Sequence, residues 1–469
     1  MFDDATIVAI ATPSIGTSAI SIIRISGKRS IAIVEDIFHS VKIGKKLGKQ
    51  STHTIHLGYI NDINKINKNV IDQVMVSIFR SPYSYTGENM IEIYCHGSYY
   101  IQERILRLLM DKGMRIAKPG EFTLRAFMNK KLDLTQAEAI ADLITSESKI
   151  SHDISLQQVK GSLNKEIKKL KNNLLNFLSL LELELEFSEE HLLATKHNYK
   201  KMNFSLQKIK DKLQVLIESF LLGNAIKKGI NVVIIGNPNV GKSTFFNKVI
   251  QEDRSIVSST IGTTRDFIEG TIVSNGILFR FFDTAGIRKS NDSVEILGLK
   301  KTVEKIEESS IIFYLFNSSI GKIEQKKLVN YIFRLYKKYP KKIIFVIANK
   351  SDIVYFKDFY NMKYKFSYFF EISAKNNIGI KDLIHVLSEI FIKKLKENQV
   401  VVTQIRHYEA LKNSLREISF ALNIFSKNGS EDLISIHIKE SLSFLSEITG
   451  EVTNEDILNN IFSKFCIGK

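Results

Sequence analysis

The run Gly236-Asn237-Pro238-Asn239-Val240-Gly241-Lys242-Ser243-Thr244 constrains this chain more than any other stretch. Val232-Val233-Ile234-Ile235 precedes it as a short apolar strand, and Phe245-Phe246-Asn247-Lys248-Val249-Ile250 continues from it as a helix. Strand, glycine-bounded loop and helix in that order carry the Walker A spacing. Glycines let backbone N–H groups turn inward around a phosphate, and the helix N-terminus adds its positive end. Lys242 would reach the β- and γ-phosphates, and the Ser243 hydroxyl would ligate Mg²⁺. The stretch predicts a nucleotide-binding α/β domain.

Four further segments stand at strand ends in the order such a site needs. Ile261-Gly262-Thr263-Thr264-Arg265-Asp266 supplies Thr264 to bind Mg²⁺ and sense the γ-phosphate. Asp283-Thr284-Ala285-Gly286 follows the strand Phe279–Phe282, bringing Asp283 near the metal and the Gly286 N–H near the γ-phosphate. In Asn349-Lys350-Ser351-Asp352 the Asp352 carboxylate can accept from guanine N1–H and N2–H₂, groups that adenine cannot match. Ser373-Ala374-Lys375 would steady the base from the backbone. Each segment alone is an ordinary turn, but the five in order imply GTP hydrolysis. Ile287 stands where Ras-like proteins carry the glutamine that orients water. Arg288 and Glu295 are the nearest polar residues for that task.

At 469 residues the chain is long enough for about three domains. The expected class is α/β plus all-α. Residues 1–120 read as a mixed α/β unit, with strands at Thr6–Ala11, Ala19–Ile25, His53–Ile60, Asp72–Phe79 and Met90–His96. His96 is either a catalytic base or a strand-end hydrogen-bonder. Residues 121–224 turn helical: Phe122–Asn129; Thr135–Lys149 with Thr135 and Glu138 as a capping box; one long amphipathic helix from Val159 to Leu185; and another over Tyr199–Phe220. Residues 225–392 alternate strand and helix, the pattern of a mostly parallel sheet. Residues 393–469 return to helix, too short for a generous core of their own. Packing this tail on the earlier helices would make the nucleotide domain an insertion in a helical domain.

No apolar run approaches the roughly 18 residues needed to span a bilayer, and Met1-Phe2-Asp3-Asp4 lacks the basic start of a signal peptide. The expectation is a cytoplasmic protein with no membrane partner. Cys95 and Cys466 are far apart and form no CxxC pair. The net charge of +16 fits contact with RNA, and fits equally an AT-rich genome that favours Lys, Ile and Asn.

Segments outside the nucleotide cassette carry a closer likeness. Thr6-Ile7-Val8-Ala9, Arg24-Ile25-Ser26-Gly27, Thr86-Gly87-Glu88, Lys118-Pro119-Gly120-Glu121-Phe122, Leu132-Asp133-Leu134, Gln136–Ile144 and the terminal Phe465-Cys466-Ile467-Gly468-Lys469 resemble the bacterial tRNA-modification GTPase family called MnmE or TrmE. The likeness runs along essentially the whole chain. Small departures are Ser98, where glycine is usual, and Asn317, where aspartate is usual. The resemblance implies an N-terminal domain that binds a tetrahydrofolate derivative and dimerises, a helical domain, and the inserted GTPase domain. It implies K⁺ activation, with Asn239, Ser258, Thr260 and Thr263 as K⁺ ligands and Ser259 among the nucleotide contacts. Glu295 would orient water. Arg24, Glu92, Lys131 and Lys469 match folate-contacting positions, and Cys466 matches the tail thiol. The implied reaction, with the FAD-dependent partner MnmG (GidA) in a heterotetramer, places a carboxymethylaminomethyl group on C5 of the tRNA wobble uridine. The competing reading is a ribosome-assembly GTPase of the Era or EngA kind, an RNA-binding switch.

Overall fold

Alternation along Ser18–Ser26 sets the first sheet: Ile23 and Ile25 are fully buried, while Arg24 between them points to the opposite face. The computed structural model describes residues 4–13, 17–62, 69–187, 192–252, 268–283, 302–353, 365–397, 400–427, 429–452 and 455–469. These divide into two compact units. The first holds residues 1–141, 158–167 and 445–469; the second holds 142–157 and 168–444.

The first unit is built on β1 (Ile7–Ile10), β2 (Ser18–Ser26), β3 (Phe38–Ser40), β4 (Thr54–Asp62), β5 (Asn69–Phe79), β6 (Met90–Gly97) and β7 (Arg115–Ile116). Their order in the sheet is β3-β4-β5-β6-β2-β1-β7, and only the β1–β7 pair is parallel. The helices Ser30–Ile37 and Tyr99–Asp111 cover one face, where Val34, Ile37, Ile105 and Leu109 meet Ile23, Ile25, Ile91 and Ile93. The short strands β3 and β7 are additions to the strands expected from sequence.

The helix Glu121–Met128 is tied to the sheet by charge as well as packing. Glu121 is buried and accepts from both guanidinium nitrogens of Arg115, at 2.8 and 2.7 Å, and from Arg125 at 3.1 Å. Burial pushes its carboxyl up, but the bonds from Arg115, the Lys118 amide and Arg125 outweigh burial and hold it below the usual glutamate value. A depressed carboxyl stabilises the fold fully above its unfolded pKa and loses that contribution as pH falls through the folded one. Glu121→Gln is therefore expected to cost about 3 kcal/mol at neutral pH. Urea midpoints of wild type and variant should converge on acidification; a constant gap would remove the ion cluster from the account.

Three helical expectations are corrected. The capping box sits two residues earlier than Thr135 and Glu138. Asp133 Oδ1 accepts from the Gln136 amide at 3.0 Å and Gln136 Oε1 accepts from the Asp133 amide at 3.1 Å, so Thr135 lies inside the first turn and donates to Asp133. That helix runs Leu134–Ile144 and ends before Lys149, to which it was expected to reach; a separate helix occupies Lys149–Val159. The next, Ser162–Phe187, does not include Val159, because Gly161 adopts the left-handed conformation (φ 82°) and breaks the chain between them.

In the second unit β8 (Ile230–Gly236), β9 (Ile268–Ser274), β10 (Ile277–Asp283), β11 (Ile311–Asn317), β12 (Ile343–Asn349) and β13 (Phe369–Glu371) form a sheet of order β13-β12-β11-β8-β10-β9. All neighbours are parallel except β9 and β10. Those two are joined by Asn275-Gly276, both at positive φ (49° and 79°), the two-residue turn that matches strand twist. Phe245, Phe279, Phe281, Phe313 and Phe345 fill the core on one side of this sheet. Chain order reverses at β8, which is flanked by β10 and β11. Ligands bind such sheets at that switch point, outside the carboxyl ends of the strands.

Candidate nucleotide site

The phosphate loop stands at that point, between β8 and the helix Lys242–Glu252. A Cβ on Gly236 would lie 2.1 Å from the Leu315 carbonyl oxygen, so only glycine lets β8 end beside β11. Asn239 and Gly241 both take positive φ, at 61° and 93°. This turns the loop back on itself before the helix begins, and a helix N-terminus at the end of such a loop is a ready site for a phosphate. The Lys242 ammonium donates to the carbonyls of Gly236 at 2.9 Å and Asn237 at 2.8 Å, laying one positive charge across the loop. Ser243 and Thr244 are exposed at the helix start, and Val240 is buried beneath.

Asp283 ends β10 fully buried, paired in register with Ile234 of β8. Its hard carboxylate oxygens and the Ser243 hydroxyl are the donor types Mg²⁺ takes. The side-chain oxygen of Asn239 is likewise a donor type that an alkali cation takes. Ser258, Ser259, Thr260, Ile261, Gly262, Thr263, Thr264, Thr284, Ala285, Gly286, Arg288 and Glu295 lie outside the described residues.

The segment Asn349–Asp352, expected from sequence to read guanine, is wired directly to the phosphate loop. Asn349 is buried; its Nδ2 donates to the Val240 carbonyl at 2.8 Å and its Oδ1 accepts from the Ala374 amide at 2.9 Å. Lys350 Nζ donates to the Asn239 carbonyl at 2.9 Å. Asp352 accepts from the Ser373 hydroxyl at 2.6 Å, and that bond first of all holds its carboxyl below the usual aspartate value. Asp352 stays an anion that can only accept, as the N1–H and N2–H₂ edge of guanine requires. Ser373 is itself fixed by paired backbone bonds with Ile378, and Lys375 is exposed beside it. The loop, Asp283 and both base-reading segments are thus gathered at one end of the sheet. Ser318, beneath them, carried no motif signal in the sequence.

The first unit has a cavity of about 570 Å³, a size typical of small-molecule sites, lined by Arg24, Glu92, Lys131 and Lys469 together with Phe79, Tyr83 and Tyr85. Arg24 and Glu92 are cross-strand partners on the face away from the core, bonded at 2.9 Å. Arg24 also donates to the Gly468 carbonyl at 3.1 Å and stacks over Tyr85, 5.6 Å from the ring centre. Lys131 donates to the Pro82 carbonyl at 3.0 Å. Burial, then the Arg24 charge, lowers the Lys469 amine. Tail glycine Gly468 (φ 94°) passes so close to Ile10 that a Cβ would sit 2.5 Å from its carbonyl oxygen. Cys466 is exposed, while His96 donates its amide to Asp72 and pairs with the same carboxylate through its ring at 2.7 Å.

Together, the parallel sheet, the loop at its switch point and the guanine-reading segments define a P-loop GTPase. A family model described as the MnmE helical domain matches residues 134–466, and one described as GTP-binding protein TrmE N-terminus matches residues 6–131. The chain is 49% identical over 466 residues to the tRNA modification GTPase MnmE of Flavobacterium psychrophilum, covering 99% of both chains. It is 47% identical to that of Flavobacterium johnsoniae, covering 100% of both, and 42% identical to that of Bacteroides thetaiotaomicron, covering 99% of both. Among solved structures, Aquifex aeolicus Era bound to GDP·AlF₄⁻ matches 40% of this chain and 66% of its own at 23% identity, with a TM-score of 0.25. This chain belongs to the MnmE (TrmE) family.

Proposed function

We propose that this chain is a K⁺-activated GTPase that, with the FAD-dependent partner MnmG, adds a carboxymethylaminomethyl group to C5 of the wobble uridine of certain tRNAs. The observation that carries the reading is end-to-end similarity to tRNA modification GTPases joined to a guanine-type site. The full-length match also disfavours a ribosome-assembly role, since the relatives reported above share one name.

GTP is held by the phosphate loop, with Lys242 countering phosphate charge and Asp352 reading the base. Ser243 and Thr264 are the Mg²⁺ ligands on this reading; Asn239, Ser258, Thr260 and Thr263 are those for K⁺, which supplies the positive charge an arginine finger otherwise brings. Glu295 orients water, with Arg288 beside it in sequence. The cavity of the first unit takes the tetrahydrofolate derivative: its cations Arg24, Lys131 and Lys469 suit carboxylates, and its aromatic wall suits a flat ring. Ile55, Leu57, Tyr59 and Met75 expose apolar side chains on one face of β4 and β5, consistent with a homodimer that assembles with MnmG.

The proposed domain plan is 1–120, 121–224, 225–392 and 393–469, with the GTPase domain inserted. An insertion must bring its two ends together. Lys227, just before β8, and Gln404, just after residue 400, both bond the buried Asp142, at 2.7 and 2.9 Å. Ser219 Oγ accepts from the Val402 amide at 3.0 Å. No helix among the described residues is long and apolar enough to cross a membrane, and a cytoplasmic location is proposed.

Wobble nucleosides should gain the carboxymethylaminomethyl group when undermodified tRNA is incubated with this protein, MnmG, GTP, a methylene-folate and glycine in K⁺ buffer. Replacing K⁺ by Na⁺ should slow both GTP turnover and product formation at least tenfold, the scale of one lost transition-state contact. Unchanged tRNA would sink the modification reading, and equal rates in the two salts would remove K⁺.

A further inference from the structure

Lys350 lies in the guanine-reading segment with a left-handed backbone, φ 66°, a conformation that side-chain-bearing residues avoid unless neighbours hold them there. The group that holds it is Ser318. This residue follows β11, and its amide donates to the Asn349 carbonyl at 2.8 Å. Its hydroxyl donates to the next carbonyl, that of Lys350, at 2.9 Å. Two successive carbonyls of the segment are therefore bound by one residue, and that residue is only 4% exposed.

Its position has a local cause. Asn317 pairs with Asn349 in register, and Asn317 Oδ1 accepts from the Ser319 amide at 3.1 Å. This side-chain turn bends the chain at the end of β11 and carries Ser318 under the neighbouring strand end. The Lys350 carbonyl also accepts from the Ile353 amide at 3.1 Å, closing the turn that contains Asp352. On the other side Lys350 Nζ reaches the Asn239 carbonyl of the phosphate loop.

We propose, on the reading that guanine lies against Asp352, that Ser318 is a positioning residue for base specificity: its hydroxyl holds the Lys350 turn so that Asp352 meets the guanine edge. Without that hydroxyl the Lys350 carbonyl keeps one bond in place of two, and the turn gains room to relax. Asp352 then shifts against a partner that needs two aligned acceptor contacts. The part of recognition that suffers most is the contact to the exocyclic 2-amino group, the one feature that separates guanine from hypoxanthine. Phosphate contacts, which lie on the loop after β8, stay in place.

The test measures dissociation constants of GDP and inosine diphosphate for the full-length protein and for Ser318→Ala, Ser318→Cys and Ser318→Thr. Loss of one buried hydrogen bond predicts about tenfold weaker GDP binding in Ser318→Ala. The preference for GDP over inosine diphosphate should shrink by about the same factor, because inosine diphosphate has less to lose. Ser318→Thr keeps the hydroxyl and should keep the preference. The kcat at saturating GTP should stay within about twofold of wild type, so the loss appears in KM. If Ser318→Ala does not fold, Ser318→Cys gives the same reading with a weak donor of similar size. A GDP-to-inosine-diphosphate ratio equal to wild type in these variants overturns the proposal, even if thermal stability falls. A wild-type protein without preference for GDP overturns the guanine reading itself and the role of Ser318 with it.

Discussion

Lys242→Ala is expected to reduce GTP hydrolysis by a factor on the order of 10²–10³, the range seen when one preorganised charge donor is removed from a transition state. The geometry gives the reason. The ammonium bridges the Gly236 and Asn237 carbonyls at the mouth of the loop. With the lysine in place the loop holds a cation; with alanine that charge is lost and the β- and γ-oxygens are left uncompensated by it. Ground-state binding and transition-state stabilisation should both suffer. Arginine should not rescue, because its planar fork does not reproduce a compact point charge within this turn. Single-turnover hydrolysis at saturating GTP, with the unfolding midpoint as a control for folding, measures the effect. Turnover near the wild-type rate would show that phosphate charge is met elsewhere.

Asp352→Asn should change the ligand as well as weaken binding. Asp352 accepts one bond from Ser373 and remains ionised, so its outward oxygens are pure acceptors. Asparagine places an N–H₂ donor against the donor edge of guanine. Such a mismatch should lower GTP affinity by a factor on the order of 10² or more, since the 2-amino group loses its acceptor and meets a donor instead. Xanthine carries a carbonyl where guanine carries the 2-amino group, so the same N–H₂ should then find a partner. The variant is expected to bind XTP better than GTP and to hydrolyse XTP in K⁺ buffer. Competition between the two nucleotides measures this. A variant that still prefers GTP would mean that the base is not read by Asp352.

Much of the nucleotide site was legible because its signals are local. A run of four apolar residues, a loop with glycines at both ends and a helix former are consecutive in the chain. Their order already requires a strand, a turn with positive φ and a helix N-terminus. The Asn349–Asp352 and Ser373–Lys375 segments could be placed at strand ends for the same reason, and their strands are β12 and β13. The strands that carry Arg24 and Glu92 were also expected, as Ala19–Ile25 and Met90–His96, and their alternating burial came from the structure.

Other features were degenerate locally. Asp133-x-x-Gln136 and Thr135-x-x-Glu138 both satisfy a capping box, and the choice fell to Asp133, whose carboxylate accepts from the Gln136 amide and the Thr135 hydroxyl together. A hydrophobic spacing of three to four continues across Val159 and Leu163, so periodicity did not reveal the break at Gly161. The antiparallel β9 did have a signal, the Asn-Gly pair at 275–276, which marks a hairpin in an otherwise parallel pattern.

The cations Arg24, Lys131 and Lys469 were marked only by family resemblance; what the sequence determined by itself is a list of local parts, a phosphate loop and a carboxylate at Asp352 placed to read a base. Short-range order is enough for these, because each depends on residues a few positions apart. Tertiary structure decided which parts act together. Asn349 reaches the Val240 carbonyl across 109 positions, and Arg24 reaches Gly468 across 444. No periodicity spans such distances; the contacts exist because sheet order sets β12 and β8 on either side of β11, and because the tail passes close against β1. Ser318 belongs to that second class, an ordinary serine until the fold puts two carbonyls within its reach.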